Sequence, residues 1–153
     1  MEIRKYREED CASTISLFRR TVRTVNRKDY DDEQVVAWAP DKIDPNSWNG
    51  SLQSNYAVVA EEDGVLLGFG DMDDCGYLDR LFVSADCQRE GVGSAILEEL
   101  EAYAAQIGVL KITTEASVSA RPFFESKGYR VERENKKLHN GVWFVNFLMA
   151  KEL

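Results

Sequence analysis

Cysteine is scarce in this chain and odd in number. Cys11, Cys75 and Cys87 have no metal-type spacing, so neither a disulfide framework nor a zinc site organises the fold, and no metal is expected. Only three prolines occur, with no repeat, low-complexity tract or linker, so residues 1–153 read as one domain. No apolar run approaches membrane-spanning length, and Met1-Glu2-Ile3-Arg4 lacks a signal-peptide core. The expectation is a cytoplasmic protein with no membrane partner. Positive charge is also in deficit: 19 Lys and Arg stand against 27 Asp and Glu, a net charge of −8. Nucleic acid is thereby excluded as the main partner, since such binding needs a basic face to displace counterions. A cationic small molecule is compatible with that balance.

What the chain does have is a strand–turn–helix junction rich in glycine. Leu81, Phe82 and Val83 read as a strand, and an amphipathic helix follows Gly91. Between them lies Gln88-Arg89-Glu90-Gly91-Val92-Gly93-Ser94. A helix start carries unpaired N–H groups and partial positive charge, and glycine lets an anion approach the backbone. The junction is a phosphate cradle. A dinucleotide fingerprint would need a small residue where Ile96 stands, and no Gly-Lys-Ser/Thr run provides a nucleotide P-loop.

Hydrophobic periodicity and turn residues supply the rest of the order. Residues 1–6 read as a strand. Asp10 can cap a helix whose Ala12, Ile15, Phe18, Val22 and Val25 share one face. A short helix spans 31–38, ahead of Pro40, and residues 45–54 read as a loop with a short turn around Trp48. Strands at 56–60 and 65–70 flank Asp63-Gly64, a hairpin signal. A strand over 77–83 leads into the phosphate turn. The helix after it presents Val92, Ile96, Leu100, Tyr103 and Ile107 on one stripe and stops at Gly108. Next come a strand at 110–116, a helix at 119–127 and a hairpin of 129–138 with 142–149 around His139-Asn140-Gly141. The last strand is apolar on both alternating sets, which places it inside the sheet. Its apolar character would also allow a paired sheet edge, in a monomer or a homodimer. The fold class is α/β, a mixed sheet with helices on both faces in the order β-α-α-β-β-β-α-β-α-β-β.

That order and two loops resemble the GNAT superfamily of N-acetyltransferases. The turn at 88–93 is similar to its Gln/Arg-x-x-Gly-x-Gly/Ala acyl-CoA loop. The run Ser117-Val118-Ser119-Ala120-Arg121-Pro122-Phe123-Phe124-Glu125-Ser126-Lys127-Gly128-Tyr129 is similar to its second signature, through Ala120, Phe123, Glu125, Gly128 and the aromatic Tyr129. Residues 30–40 and Trp143-Phe144-Val145-Asn146-Phe147 resemble the YafP-like bacterial branch.

The resemblance implies that acetyl-CoA is the acetyl donor and that a primary amine, of a small molecule, is the acceptor. Leu81, Phe82 and Val83 would line the pantetheine arm, with the Val83 N–H near the acetyl carbonyl. The N–H groups of Gln88, Arg89, Glu90, Gly91, Val92, Gly93 and Ser94 would hold the pyrophosphate, Ser117 would bond the arm, and Phe124 would pack beside it. Many relatives carry a Tyr at the Phe124 position as general acid, and Phe cannot donate a proton. Tyr77, Tyr129 and Ser117 are the replacement hydroxyls.

For the general base, Asp79 lies in the strand leading to Val83, on the parity of Tyr77 and Leu81, and Glu115 ends the neighbouring strand. Asp79 either takes the ammonium proton or simply pairs with Arg80. His139 reads as a turn residue. Trp38, Trp48 and Trp143 read as core or cleft walls. Two other readings stand beside the small-molecule enzyme: a non-catalytic acyl-CoA-binding module and a protein N-acetyltransferase.

Overall fold

The computed structural model describes residues 1–153. Seven strands, β1 (Glu2–Lys5), β2 (Tyr56–Glu62), β3 (Val65–Met72), β4 (Tyr77–Val83), β5 (Lys111–Ser117), β6 (Arg130–His139) and β7 (Val142–Glu152), form one sheet. Their order is β1-β2-β3-β4-β5-β7-β6, and every neighbouring pair is antiparallel except β4–β5. The helices are α1 (Cys11–Thr24), α2 (Asp32–Trp38), α3 (Pro45–Ser54), α4 (Val92–Gln106) and α5 (Arg121–Ser126). The mixed α/β architecture agrees with the sequence. No helix is long and apolar enough to cross a membrane.

Alternation along the inner strands produces two cores. On β2, Val58 and Ala60 pack with α4 residues Val92, Ile96, Leu97 and Leu100, while Ala57 and Val59 pack with Leu17, Phe18 and Val22 of α1. The sheet thus has an α4 face, shared with α5, and an α1 face, shared with α2 and α3. On β3, Gly68 and Gly70 let α4 lie close. A Cβ at Gly70 would come 2.9 Å from the Arg80 carbonyl and 3.0 Å from Ile96 Cγ2. The hairpin turns are those read from the sequence, with left-handed Asp63-Gly64 (φ 52° and 79°) and Asn140-Gly141 (φ 48° and 78°).

Several local expectations are corrected. Residues 45–54 are helical: Asp44 accepts the Asn46 N–H at 3.0 Å, Pro45 starts the helix, and Leu52 is buried. The polar stretch around Gly50 hid the pattern. Asp10 does not cap α1. Its carboxylate accepts two bonds from Arg4 and one from the Arg7 N–H, all at 2.9 Å. Ala12 is exposed, and Ile107 lies beyond the end of α4, while Leu97 and Ala104 complete the buried stripe. The last strand, β7, does lie inside the sheet, between β5 and β6, so it cannot serve as a sheet edge; the edges are β1 and β6.

The two glycine environments make a paired prediction. Gly70→Ala overpacks the α4 face and lowers the unfolding free energy by about 1–3 kcal/mol. Gly50→Ala, in α3 with nothing within 4 Å of the new methyl, raises it by about 0.5–1 kcal/mol. Urea unfolding of the two variants checks both signs.

Candidate functional site

The site begins with a bulge. Asp71 pairs with Arg80 and Met72 with Leu78, so Asp79 is an extra residue on β4. A bulge bends its strand, and β4 here leaves β5 immediately. The two share only the rungs Tyr77–Thr113 and Leu78–Thr114, the second closed by the Thr114 hydroxyl donating to the Leu78 carbonyl at 2.8 Å. From Asp79 to Val83, β4 has no partner on that side. The bulge also breaks the expected parity: Leu81 and Val83 pack on the α4-face core, whereas Phe82 packs on the α1-face core. Asp79 therefore does not share a face with Leu81.

Arg80 holds the bulge in place. Its guanidinium donates to both oxygens of the fully buried Asp71 (3.0 and 2.6 Å) and to Ser51 Oγ of α3 at 2.8 Å, and it lies 5.4 Å from the Trp48 ring centroid. Asn55 donates to Asp71 as well, at 3.0 Å. Asp79 sits 3.4 Å from Arg80 but is a lesser partner, with a side chain 42% exposed.

The open edge of β4 faces the gap. Ser84 N–H bonds back to Leu67 of β3 at 2.8 Å, and strand alternation then turns the N–H groups of Leu81 and Val83 away from β3, into the gap. The Val83 carbonyl is held by Thr21 Oγ1 and by the Gln88 side-chain amide, each at 2.9 Å, which fixes the orientation of that peptide.

Above this edge, Gly91 takes φ 87° as the residue preceding α4, and Arg89 takes φ 62°. None of the seven N–H groups of residues 88–94 has a protein partner, and the first intrahelical bond is Ala95 N–H to the Gly91 carbonyl at 3.1 Å. A Cβ on Gly93 would reach Val83 Cγ2 at 3.4 Å and the Phe123 ring at 3.5 Å, so this turn stands directly over the gap. Unpaired donors at a helix start above an unpaired strand edge fit a phosphorylated, amide-bearing ligand such as acetyl-CoA.

On the α1 face the gap is acidic and aromatic. Tyr77, Asp79 and Glu115 converge there. Burial, then Glu115 and Asp79, push the Tyr77 phenol up to about 12. Burial also raises the Asp79 carboxyl above its ordinary value; Arg80 opposes the rise, and Asp71, Asp73 and Glu115 add to it. Glu115 is tied to Lys137 at 2.5 Å and to Asn146 Nδ2 at 3.4 Å, leaving Asn146 Oδ1 buried without a donor. Tyr30 and Trp38 pack edge-to-face at 5.2 Å. Phe82 lies 6.2 Å from Trp38, and Phe144 lies 6.0 Å from Tyr30.

Other sequence-predicted residues fall elsewhere. Phe124 is 3% exposed and packs against Phe123 and Tyr129 in the α4-face core. Phe123, rather than Phe124, faces the phosphate turn. Tyr129 donates its hydroxyl to Glu101 at 2.8 Å. Ser117 Oγ accepts the Ala120 N–H at 3.1 Å. Trp143 is a correction: it is 64% exposed near the β6–β7 turn and lines no core. Trp48 is a wall, its Nε1 donating to Thr14 at 3.0 Å. Sequence reasoning missed Tyr30, Phe144 and Asn146, whose place depends on pairing across the sheet.

The family of acetyltransferase (GNAT) domains matches residues 26–153. The chain belongs to the GNAT acetyltransferase family. Among its GNAT relatives is the Escherichia coli K12 protein named uncharacterized N-acetyltransferase YafP, 32% identical over 97% of this chain and 94% of that one. A GCN5-related N-acetyltransferase structure from Rhodopseudomonas palustris superposes with a TM-score of 0.96 at 32% identity, covering 99% of this chain and 95% of that one. The PaiA N-acetyltransferase of Thermoplasma acidophilum, solved in complex with coenzyme A, shares the GNAT fold at a TM-score of 0.84 and 20% identity, over 99% and 98% of the two chains.

The pair that pins the bulge gives a stability prediction. Asp71→Asn leaves the Arg80 guanidinium buried without its counter-charge and lowers the unfolding free energy by about 3–5 kcal/mol. Thermal and urea unfolding measure it.

Proposed function

We propose that this protein is an acetyl-CoA-dependent N-acetyltransferase that carries an acetyl group to a primary amine of a small molecule by direct attack in a ternary complex. The observation that carries the reading is the gap beside β4, which has unpaired donors on the α4 side and carboxylates on the α1 side. Acetyl-CoA, when bound, supplies an acetyl thioester.

The N–H groups of residues 88–94 hold its pyrophosphate, aided by the helix start and by Arg89, which is exposed beside them. Leu81 and Val83 pair with the amide-bearing arm as a missing strand would, Phe82 backs it from the α1 face, and Ser117 stands at the opposite lip. Val83 N–H, in the peptide it shares with Phe82 and held in direction by the pairing of Phe82 with Phe69 on β3, receives the charge that gathers on the thioester oxygen. Phe124 supports this lip from within the core, behind Phe123.

The acceptor enters from the α1 face. An alkylammonium near pKa 10.4 must lose a proton, which costs about 4–5 kcal/mol at neutral pH. Asp79 takes that proton through water, with the neutral Tyr77 hydroxyl beside it as a relay. Glu115 is less free to act, because Lys137 already holds it. The acidic floor attracts a cation, and the rings of Tyr30, Trp38, Phe82 and Phe144 suit a compact acceptor.

Thiol release from acetyl-CoA across polyamines, aminoglycosides, amino acids and short peptides, with calorimetric acetyl-CoA binding alongside, tests this function. Turnover of one small-amine class is the expected result. Binding without any turnover would move the protein to the non-catalytic acyl-CoA-binding reading, and preference for a peptide terminus to the protein-acetylating one.

Two variants separate the halves of the site. Gly91→Ala, strained at φ 87°, tilts the N–H groups and weakens acetyl-CoA binding about 10- to 100-fold by calorimetry. Asp79→Asn lowers kcat about 10²-fold at pH 7 with coenzyme affinity unchanged, and the defect shrinks as pH nears the amine's own pKa. The raised Asp79 pKa also fixes a stability sign. Between the ordinary carboxylate value and the raised one, the folded state binds more proton than the unfolded state, so stability falls as pH rises through that window. Urea midpoints across acid pH show this fall in the wild type and its loss in Asp79→Asn.

A further inference from the structure

We propose that Tyr30 supplies the proton taken up by the departing thiolate, a role that rests on the acetyl-transfer reading above. The register places it. From the rung Leu78–Thr114, with Asp79 as the extra residue, Arg80 stands level with Glu115, Leu81 with Ala116, Phe82 with Ser117 and Val83 with Val118. Tyr30 Oη accepts the Val118 N–H at 2.9 Å. The phenol therefore lies across the gap at the height of the Val83 N–H, the donor assigned to the thioester oxygen. A thioester whose oxygen meets Val83 N–H has its sulfur and its methyl both turned away from β4, on the side of the opposite lip.

The hydroxyl is oriented and its proton is unspent. With the oxygen accepting from Val118, no protein acceptor takes the Tyr30 proton. The ring is packed against Trp38 and Phe144, and the neighbouring Asp29 accepts from Ser119 Oγ at 2.7 Å, so the loop is clasped on both sides. Burial pushes the phenol above its ordinary value, against the pull of the Val118 N–H and Ser117; Asp29 is the one charged group that bears on it, and adds to the rise. The group keeps its proton at neutral pH.

Of the competing hydroxyls, those of the other tyrosines are spent or distant, and Ser117, whose Oγ accepts the Ala120 N–H, stands beside the Tyr30 hydroxyl. Tyr129 donates to Glu101. Tyr77 lies six residues below Val83, about 20 Å of strand. Phe124 has no proton to give.

The step balances. The acceptor nitrogen forms the C–N bond, the C–S bond breaks with its electron pair remaining on sulfur, and the Tyr30 hydroxyl proton passes to that sulfur. The ammonium gives one proton to Asp79 before attack, the nitrogen sheds a second to water as the amide forms, and the tyrosinate regains its proton from Asp79 through water.

The test compares free coenzyme A with desulfo-coenzyme A, which lacks the thiol, by calorimetry from pH 7 to 9.5, in the wild type and in Tyr30→Phe. Donation to the thiolate makes coenzyme A gain affinity over desulfo-coenzyme A as pH rises. Tyr30→Phe, which keeps the ring, is expected to lose that gain while binding desulfo-coenzyme A as before, and to lose about 10²-fold in kcat with the KM for acetyl-CoA within about threefold. Ser119→Ala, which cuts only the adjacent clasp, is expected to keep both properties.

Equal loss of affinity for the two ligands in Tyr30→Phe would make Tyr30 a clasp for the 117–118 lip and overturn the proposal. So would an unchanged kcat, or a wild type with no pH-dependent difference between the ligands. If the wild type shows the difference but acetylates no amine, the contact with sulfur stands and the acceptor reading falls.

Discussion

The structure depends on one buried ion pair. Asp71 has no exposure, and Arg80 reaches it with two donors while a third bond runs to Ser51 and the guanidinium covers Trp48. Removing two such charges from water is costly, and good geometry, with three guanidinium bonds and a further bond from Asn55 to Asp71, offsets the cost. What the pair secures is a register: Arg80 can face Asp71 only if Asp79 is passed over. That skipped residue turns β4 off β5 and opens the gap, so an electrostatic contact on the α1 face determines the shape of a cleft that opens on both.

From this follows a division of labour between the faces. The α4 face holds the glycine-bearing turn, the helix start and the strand edge, all backbone donors suited to an anionic, amide-rich ligand. The α1 face holds carboxylates and rings, suited to a cation. Val83 joins them: its carbonyl is anchored by Thr21 and Gln88, and its N–H, in the peptide shared with Phe82, is aimed by the pairing of Phe82 with Phe69 before any ligand arrives.

Features fixed by short-range chemistry were legible in the sequence. The turn at 88–94, the Asp63-Gly64 and Asn140-Gly141 hairpins and the interior position of β7 each follow from a few adjacent residue types. Features decided by a distant partner were not. The bulge at Asp79 exists only relative to β3, and Tyr30 meets Val118 across a long stretch of chain. Phe124 carries the local signature of a cleft residue, yet Tyr129 and Phe123 enclose it. Asp10 has the residue type of a cap, but Arg4 claims its carboxylate. Trp143 has the bulk of a core residue but stays exposed beside the β6–β7 turn. α3 went unread because its sequence is mostly polar, its burial resting on Leu52 and Trp48.

The two cores have no buried residue in common, since they lie on opposite faces of the sheet. Side chains far apart with no shared partner contribute to stability almost independently. An α1-face library varying Trp38 and Phe144 can therefore be recombined with α4-face backgrounds and screened as independent modules. The same separation would let natural lineages exchange one acceptor for another by drift on the α1 face while inheriting the α4 half intact.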